Sequence, residues 1–102
     1  MNEKIPKAGD FYYHFKHNSN KDLFNYAYII IGIAIHSETE ELLVAYKPLY
    51  SPNHVFDNKC DFCVRPLNMF IENVEKPNYI GPRFRLITDA QTIDQLRKEN
   101  NK

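Results

Sequence analysis

Six side chains in this sequence have the type and placement to handle a ligand: His14, His36, Glu38, Tyr46, Arg65 and Arg83. A histidine titrates near neutrality and can serve as acid, base or ligand. Both His14 and His36 fall on or beside the end of an apolar stretch. His36 follows Gly32 and Ala34 on one face, where small residues leave room, and Glu38 stands close enough to orient it. The plainer reading of that segment is a turn in which Ser37, Glu38 and Thr39 satisfy backbone donors and His36 bonds locally, and it carries more weight. Arg65, Arg83 and Arg85 can each grip a carboxylate or phosphate through two N–H groups. Glu72, Glu38 and Asp61 can equally take them as internal partners, so structural ion pairs are the stronger expectation. Tyr12, Tyr46 and Tyr50 with Lys16 and Lys47 match the composition that stacks bases or holds peptides. Ordinary packing with hydroxyls at the rim explains them slightly better.

Cys60 and Cys63 form a CxxC, and with His54 they could supply three ligands of a tetrahedral zinc site, His36 being a fourth. A second cysteine pair or a spaced histidine pair is missing, so the expected state is one buried and one exposed thiol with no metal. No motif joins a serine or cysteine nucleophile to either histidine. Catalytic residues therefore go unassigned, no cofactor is expected, and the reading leans away from an enzyme.

Thirteen basic residues balance thirteen acidic ones, which removes the long-range field used by nonspecific nucleic-acid or anionic-membrane binders. The 102 residues suit one core; two domains would each be too small to bury enough surface. Hydrophobic residues at 43% and charged residues at 25% argue against disorder. Seven tyrosines and seven phenylalanines without a tryptophan favour pleated, half-buried surfaces. The longest mainly apolar run, residues 26–35, is about half of the roughly 20 residues a membrane-spanning helix needs. The first residues lack an apolar leader, and two close cysteines suit a reducing compartment, so a cytoplasmic location without membrane contact is expected.

The elements that would hold these side chains follow from periodicity. Residues 1–8 read as a flexible lead-in. From Phe11 the chain alternates, with Phe11, Tyr13 and Phe15 on one side and Tyr12, His14 and Lys16 on the other, which predicts a half-buried strand. Residues 17–22 are a polar loop. Residues 26–35 are β-branched and apolar on both faces, so they predict a strand covered on each side, with Gly32 marking a bulge or bend. A turn over residues 36–41 returns residues 42–47 as the second arm of a hairpin. Residues 51–61 form a long loop, residues 62–65 a short strand, and Pro66 introduces a helical turn to Phe70. Residues 71–75 are extended, residues 76–82 form a turn, and residues 83–87 make a last strand. Thr88 to Gln91 has capping-box spacing, and Ile93 and Leu96 lie three apart, predicting a short C-terminal helix with a frayed tail to residue 102. Short strands around one bent central strand suit a small barrel, since closure removes exposed edges.

Several segments in one order resemble a bacterial family known as domain of unknown function 1653. They are Tyr12-Tyr-His-Phe-Lys16, Tyr28-Ile-Ile-Ile-Gly-Ile-Ala-Ile-His-Ser-Glu-Thr39, Leu43-Val-Ala-Tyr-Lys-Pro-Leu-Tyr50, Val64-Arg-Pro-Leu-Asn-Met-Phe70 with Glu72, and Pro82-Arg-Phe84. The resemblance covers residues 9–87. It implies a mainly β, small SH3-like barrel of five to six short strands with a short C-terminal helix, and it implies no activity. The chain departs from that pattern at His17, at residues 19–26, in the loop before Phe62, and at Cys63, where a tryptophan is usual. The functional expectation is a small non-enzymatic binding module for a peptide, a nucleotide-like ligand or a nucleic-acid segment, as a monomer or weak homo-oligomer. The alternative is a small hydrolase or transferase using His36 or His14 with Glu38 and Arg65.

Overall fold

Side chains that alternate along a strand serve two faces, and the first strand uses both of them. The computed structural model describes residues 5–100, and the outermost parts of the expected lead-in and tail lie outside them. In β1 (Phe11–His14), Tyr12 enters one apolar cluster while Phe11 and Tyr13 enter another on the opposite face. β2 (Ala27–Ile35) and β3 (Leu42–Pro48) form the predicted hairpin, and β4 (Cys63–Pro66) and β7 (Phe84–Leu86) complete an antiparallel sheet in the order β4-β3-β2-β1-β7. The short helix α1 (His54–Asp57) interrupts the loop expected over residues 51–61. Asn53 starts it, its side chain accepting the Val55 N–H at 2.9 Å. α2 (Leu67–Phe70) follows Pro66 as the sequence predicts.

Three expectations are revised. The mainly β class with a short C-terminal helix holds, and its strands fall into two antiparallel sheets: β4 and β7 end the five-stranded one, and β5 (Asn73–Lys76) pairs with β6 (Tyr79–Pro82) in a separate sheet of two. There are thus seven strands among the described residues instead of five to six. The prolines at 77 and 82 made residues 76–82 look like one turn, but the turn is confined to Pro77 and Asn78, with Lys76 opposite Tyr79. The backbone of Arg83 ties the two sheets together, its N–H donating to Glu72 at 3.0 Å and its carbonyl accepting from Phe15 at 2.9 Å.

The second revision concerns β2, which is not covered on both sides throughout. Its first half is buried around Ala27, Tyr28 and Ile30, whereas Ile31, Ile33 and Ile35 are exposed. The register does shift between Ile30 and Gly32, the bulge predicted at the glycine. A Cβ on Gly32 would meet nothing within 4 Å, so the bulge does not depend on close approach there.

The third concerns α3 (Ala90–Asn100), which begins one residue later than the capping box implied. The carboxylate of Asp89 accepts from the backbone N–H of Thr92 at 2.9 Å and its hydroxyl at 2.8 Å, and these bonds hold the acid below the usual range. Leu96, fully buried, and Ile93 lay the helix on the Phe11, Tyr13, Ala27 and Ile87 cluster.

The opposite face of the sheet is mainly aromatic, with Ile30 and Val44 among its rings. Phe70 of α2 stacks on Phe84 of β7 with ring centroids 4.1 Å apart and planes 4° apart, and Tyr12, Tyr28 and Tyr46 meet this pair edge-on. Such contacts add about 0.5–1.5 kcal/mol each beyond area burial. Truncating Phe70, 1% exposed, to alanine is expected to cost about 3–5 kcal/mol, read as a lower urea midpoint at unchanged slope.

Candidate functional site

Beside that stack lies a cavity of about 530 Å³, walled by β1, β3, β4 and the loop carrying α1. Phe84 lies in its wall, and the Arg65 guanidinium sits over that ring at 5.6 Å. β4 pairs with β3 so that Arg65 lies opposite Val44, two residues along the strand from Tyr46 and on the same face. The Arg65 Nε–H donates to the Tyr46 hydroxyl at 3.0 Å, which fixes the guanidinium and leaves its terminal N–H groups available. Among the described residues no carboxylate lies within ion-pairing distance of Arg65. Arg83 differs: its Nη2 meets Glu72 Oε2 at 2.6 Å, the internal ion pair expected for arginines here, while its buried Nε–H has no partner among the described atoms.

Four tyrosines, at positions 26, 28, 46 and 50, line the cavity. The hydroxyls of Tyr28 and Tyr50 share a hydrogen bond of 2.7 Å. Burial pushes the phenols of Tyr28, Tyr46 and Tyr50 up, so all three keep their protons near neutrality. Tyr26 reaches Tyr50 at 5.3 Å from a backbone with φ of 57°, a left-handed conformation uncommon for a bulky residue and placed where the chain enters β2. Cys63 contributes a small thiol to the same wall; its Sγ–H donates to the Tyr46 carbonyl at 3.5 Å, and burial raises its pKa.

His14 completes the cationic end of the cavity without being a cation. Its Nδ1 accepts the Lys16 N–H at 3.1 Å, so in the neutral ring the proton resides on Nε2. Burial, followed by the charges of Arg65, Lys16 and Arg83, lowers its pKa to about 4. None of the described residues lining the cavity is an aspartate or glutamate, while Arg65 and Lys16 are both present.

The sequence-derived set therefore splits. His14, Tyr46 and Arg65 come together; Arg83 is in its ion pair; His36 and Glu38 are exposed at the β2–β3 turn. Eight residues of strand separate Tyr28 from His36, about 26 Å when extended. His36 Nδ1 accepts the N–H groups of Glu38 and Thr39 at 3.1 and 3.3 Å, the local turn bonding read from the sequence. Tyr26, Tyr28 and Asn53 join the site without having been singled out, and His54 and Cys63 join it having been considered only as metal ligands. The aromatic surface proposed around Tyr46 and Tyr50 was the available signal for Tyr26 and Tyr28; for Asn53 and His54 it was the length of their loop. Cys60 and Cys63 are free thiols, and among the described residues no three His, Cys, Asp or Glu side chains gather as metal ligands. No helix among them is long and apolar enough to cross a membrane.

A mainly β protein with an aromatic, carboxylate-free cavity on one face of its sheet is the class these features define. The chain belongs to the family described as protein of unknown function (DUF1653), whose model matches residues 10–86. Among solved structures it is similar to a protein of that family from Bordetella bronchiseptica, at 26% identity and a TM-score of 0.59, covering 79% of this chain and 86% of the other. No curated protein matches the sequence.

Because the folded His14 pKa lies below the free value of 6.5, the unfolded chain binds the extra proton. The His14 contribution is complete above about pH 6.5 and is lost as pH falls toward 4. An NMR titration should place the His14 ring midpoint at about 4, and His14→Gln should flatten the stability profile between those values.

Proposed function

We propose that this chain is a non-enzymatic binding module whose cavity takes a small anionic ligand with a flat, unsaturated body, as in a nucleotide. The observation that carries this reading is Arg65, a half-buried cation held by Tyr46 and Phe84 with no carboxylate partner among the described residues. A half-buried charge gains from a counter-charge, and a wall without acids leaves that place open to a ligand anion. The guanidinium suits a phosphate through two parallel N–H bonds, with Lys16 as a second positive charge. Tyrosine faces suit stacking against a base, and the protonated hydroxyls and His14 Nε2–H supply neutral donors. The cavity volume falls within the range for small-molecule sites.

The hydrolase or transferase alternative draws on Glu38 beside a histidine and Arg65. Glu38 and His36 lie at the far turn, and His14 has no carboxylate to orient it, so the support falls on binding alone.

A thermal-shift panel of nucleoside mono-, di- and triphosphates against unphosphorylated nucleosides is expected to single out phosphorylated members. Arg65→Gln should then weaken binding about tenfold or more, with Arg97→Gln on α3 unchanged. Bound anion should also raise the His14 midpoint seen by NMR. A panel without a shift, or an Arg65→Gln protein that binds as tightly as the parent, counts against the reading.

A further inference from the structure

The outer half of β2 has a hydrogen-bonding edge that β1 never reaches. β1 pairs with residues 27–29, and the last contacts on that side are Ile30 N–H to Asp10 at 2.8 Å and Gly9 N–H to Ile30 at 2.9 Å. Gly9, with φ of 91°, lies where this pairing ends. On the other side, His36 N–H donates to Glu41 at 2.8 Å, and strand alternation then turns the N–H and C=O of Ile33 and Ile35 away from β3. Among the described residues nothing accepts or donates to those four groups. Ile33 and Ile35 are 40% and 60% exposed, and residues 31–35 hold no charge or proline of the kind that normally guards a free edge.

We propose that this edge pairs with the same edge of a second copy of the chain, antiparallel about a two-fold axis at Ala34. In that register Ile33 lies opposite Ile35 of the second copy and Ile35 opposite its Ile33, so each such pair exchanges two hydrogen bonds and all four free groups of each edge are used. Ala34 faces itself in the close, non-bonded pair, where a methyl fits and a larger side chain crowds. Gly32 faces His36, a small residue against a large one. The register is self-complementary, as a two-fold contact must be. The turn carrying Glu38, Glu40 and Glu41 passes the start of the other copy's first strand, where Lys7 offers an exposed positive charge and the Asp10 carboxylate accepts the Lys7 N–H at 3.1 Å. The turn begins at residue 36, so the pairing stretch ends before the two copies obstruct each other.

Three residues per edge bury less than the roughly 1,200 Å² of a standard interface, so the association is weak and concentration-dependent. Sedimentation equilibrium across a concentration series should show monomer giving way to dimer, with Ile33→Lys remaining monomeric at every concentration and folded by circular dichroism. In a Cys60→Ser, Cys63→Ser background, Ala34→Cys should form an interchain disulfide under oxidised glutathione, and Leu42→Cys should not. A parent chain that is monomeric throughout, its edge left for an extended segment of some other protein, overturns the proposal. So does a dimer that persists in Ile33→Lys, or a folded Ala34→Cys protein that dimerises without crosslinking. None of these outcomes depends on what the cavity binds.

Discussion

The contact on which most of this molecule depends is the stack of Phe84 on Phe70. Phe84 belongs to a three-residue edge strand and Phe70 to a single helical turn, and neither element would persist alone. Their 4.1 Å stack joins the two, and the edge-on rings of Tyr12, Tyr28 and Tyr46 bind the pair to three successive strands. The same face of the sheet therefore acts as core on one side of Phe84 and as site wall on the other. Stability and ligand geometry are drawn from one set of rings.

Two arginines with similar prospects in the sequence end in opposite situations because of this arrangement. Arg83 immediately precedes Phe84 and finds Glu72 across the junction of the two sheets, where its charge closes a structural pair. Arg65 is carried over the face of Phe84 by β4, beyond the reach of any acid among the described residues, and its orientation is set by a phenol that leaves its charge uncompensated. His14, pressed between the same rings and charges, gives up its proton and so does not add to the positive field.

The hairpin, the bulge, the helical turn after Pro66 and the C-terminal helix were legible because each rests on local signals: β-branched runs, a glycine, a proline and an i, i+3 apolar pair. What sequence periodicity could not convey was which long-range neighbours each face would find. The all-apolar run of β2 implied cover on both faces, yet neither apolar cluster extends past Ile30, and how far the packing on a strand reaches is not written in the strand itself. The β5–β6 pair was hidden by prolines whose positions at a turn and a strand end are both compatible with pairing. Of the site, His14, Tyr46 and Arg65 could be named from chemistry. Separating them from His36 and Glu38 required knowing that a nine-residue strand carries the turn away from the cavity.

The tyrosines around the cavity have an optical consequence. The chain contains no tryptophan, so its near-ultraviolet emission comes from seven tyrosines, and four of these line the cavity. Two of the four share a hydroxyl hydrogen bond, and a third accepts one from a guanidinium, contacts to which phenol emission is sensitive. The site thus carries its own reporter, and occupancy can be followed on the unlabelled protein against a background of only three other fluorophores.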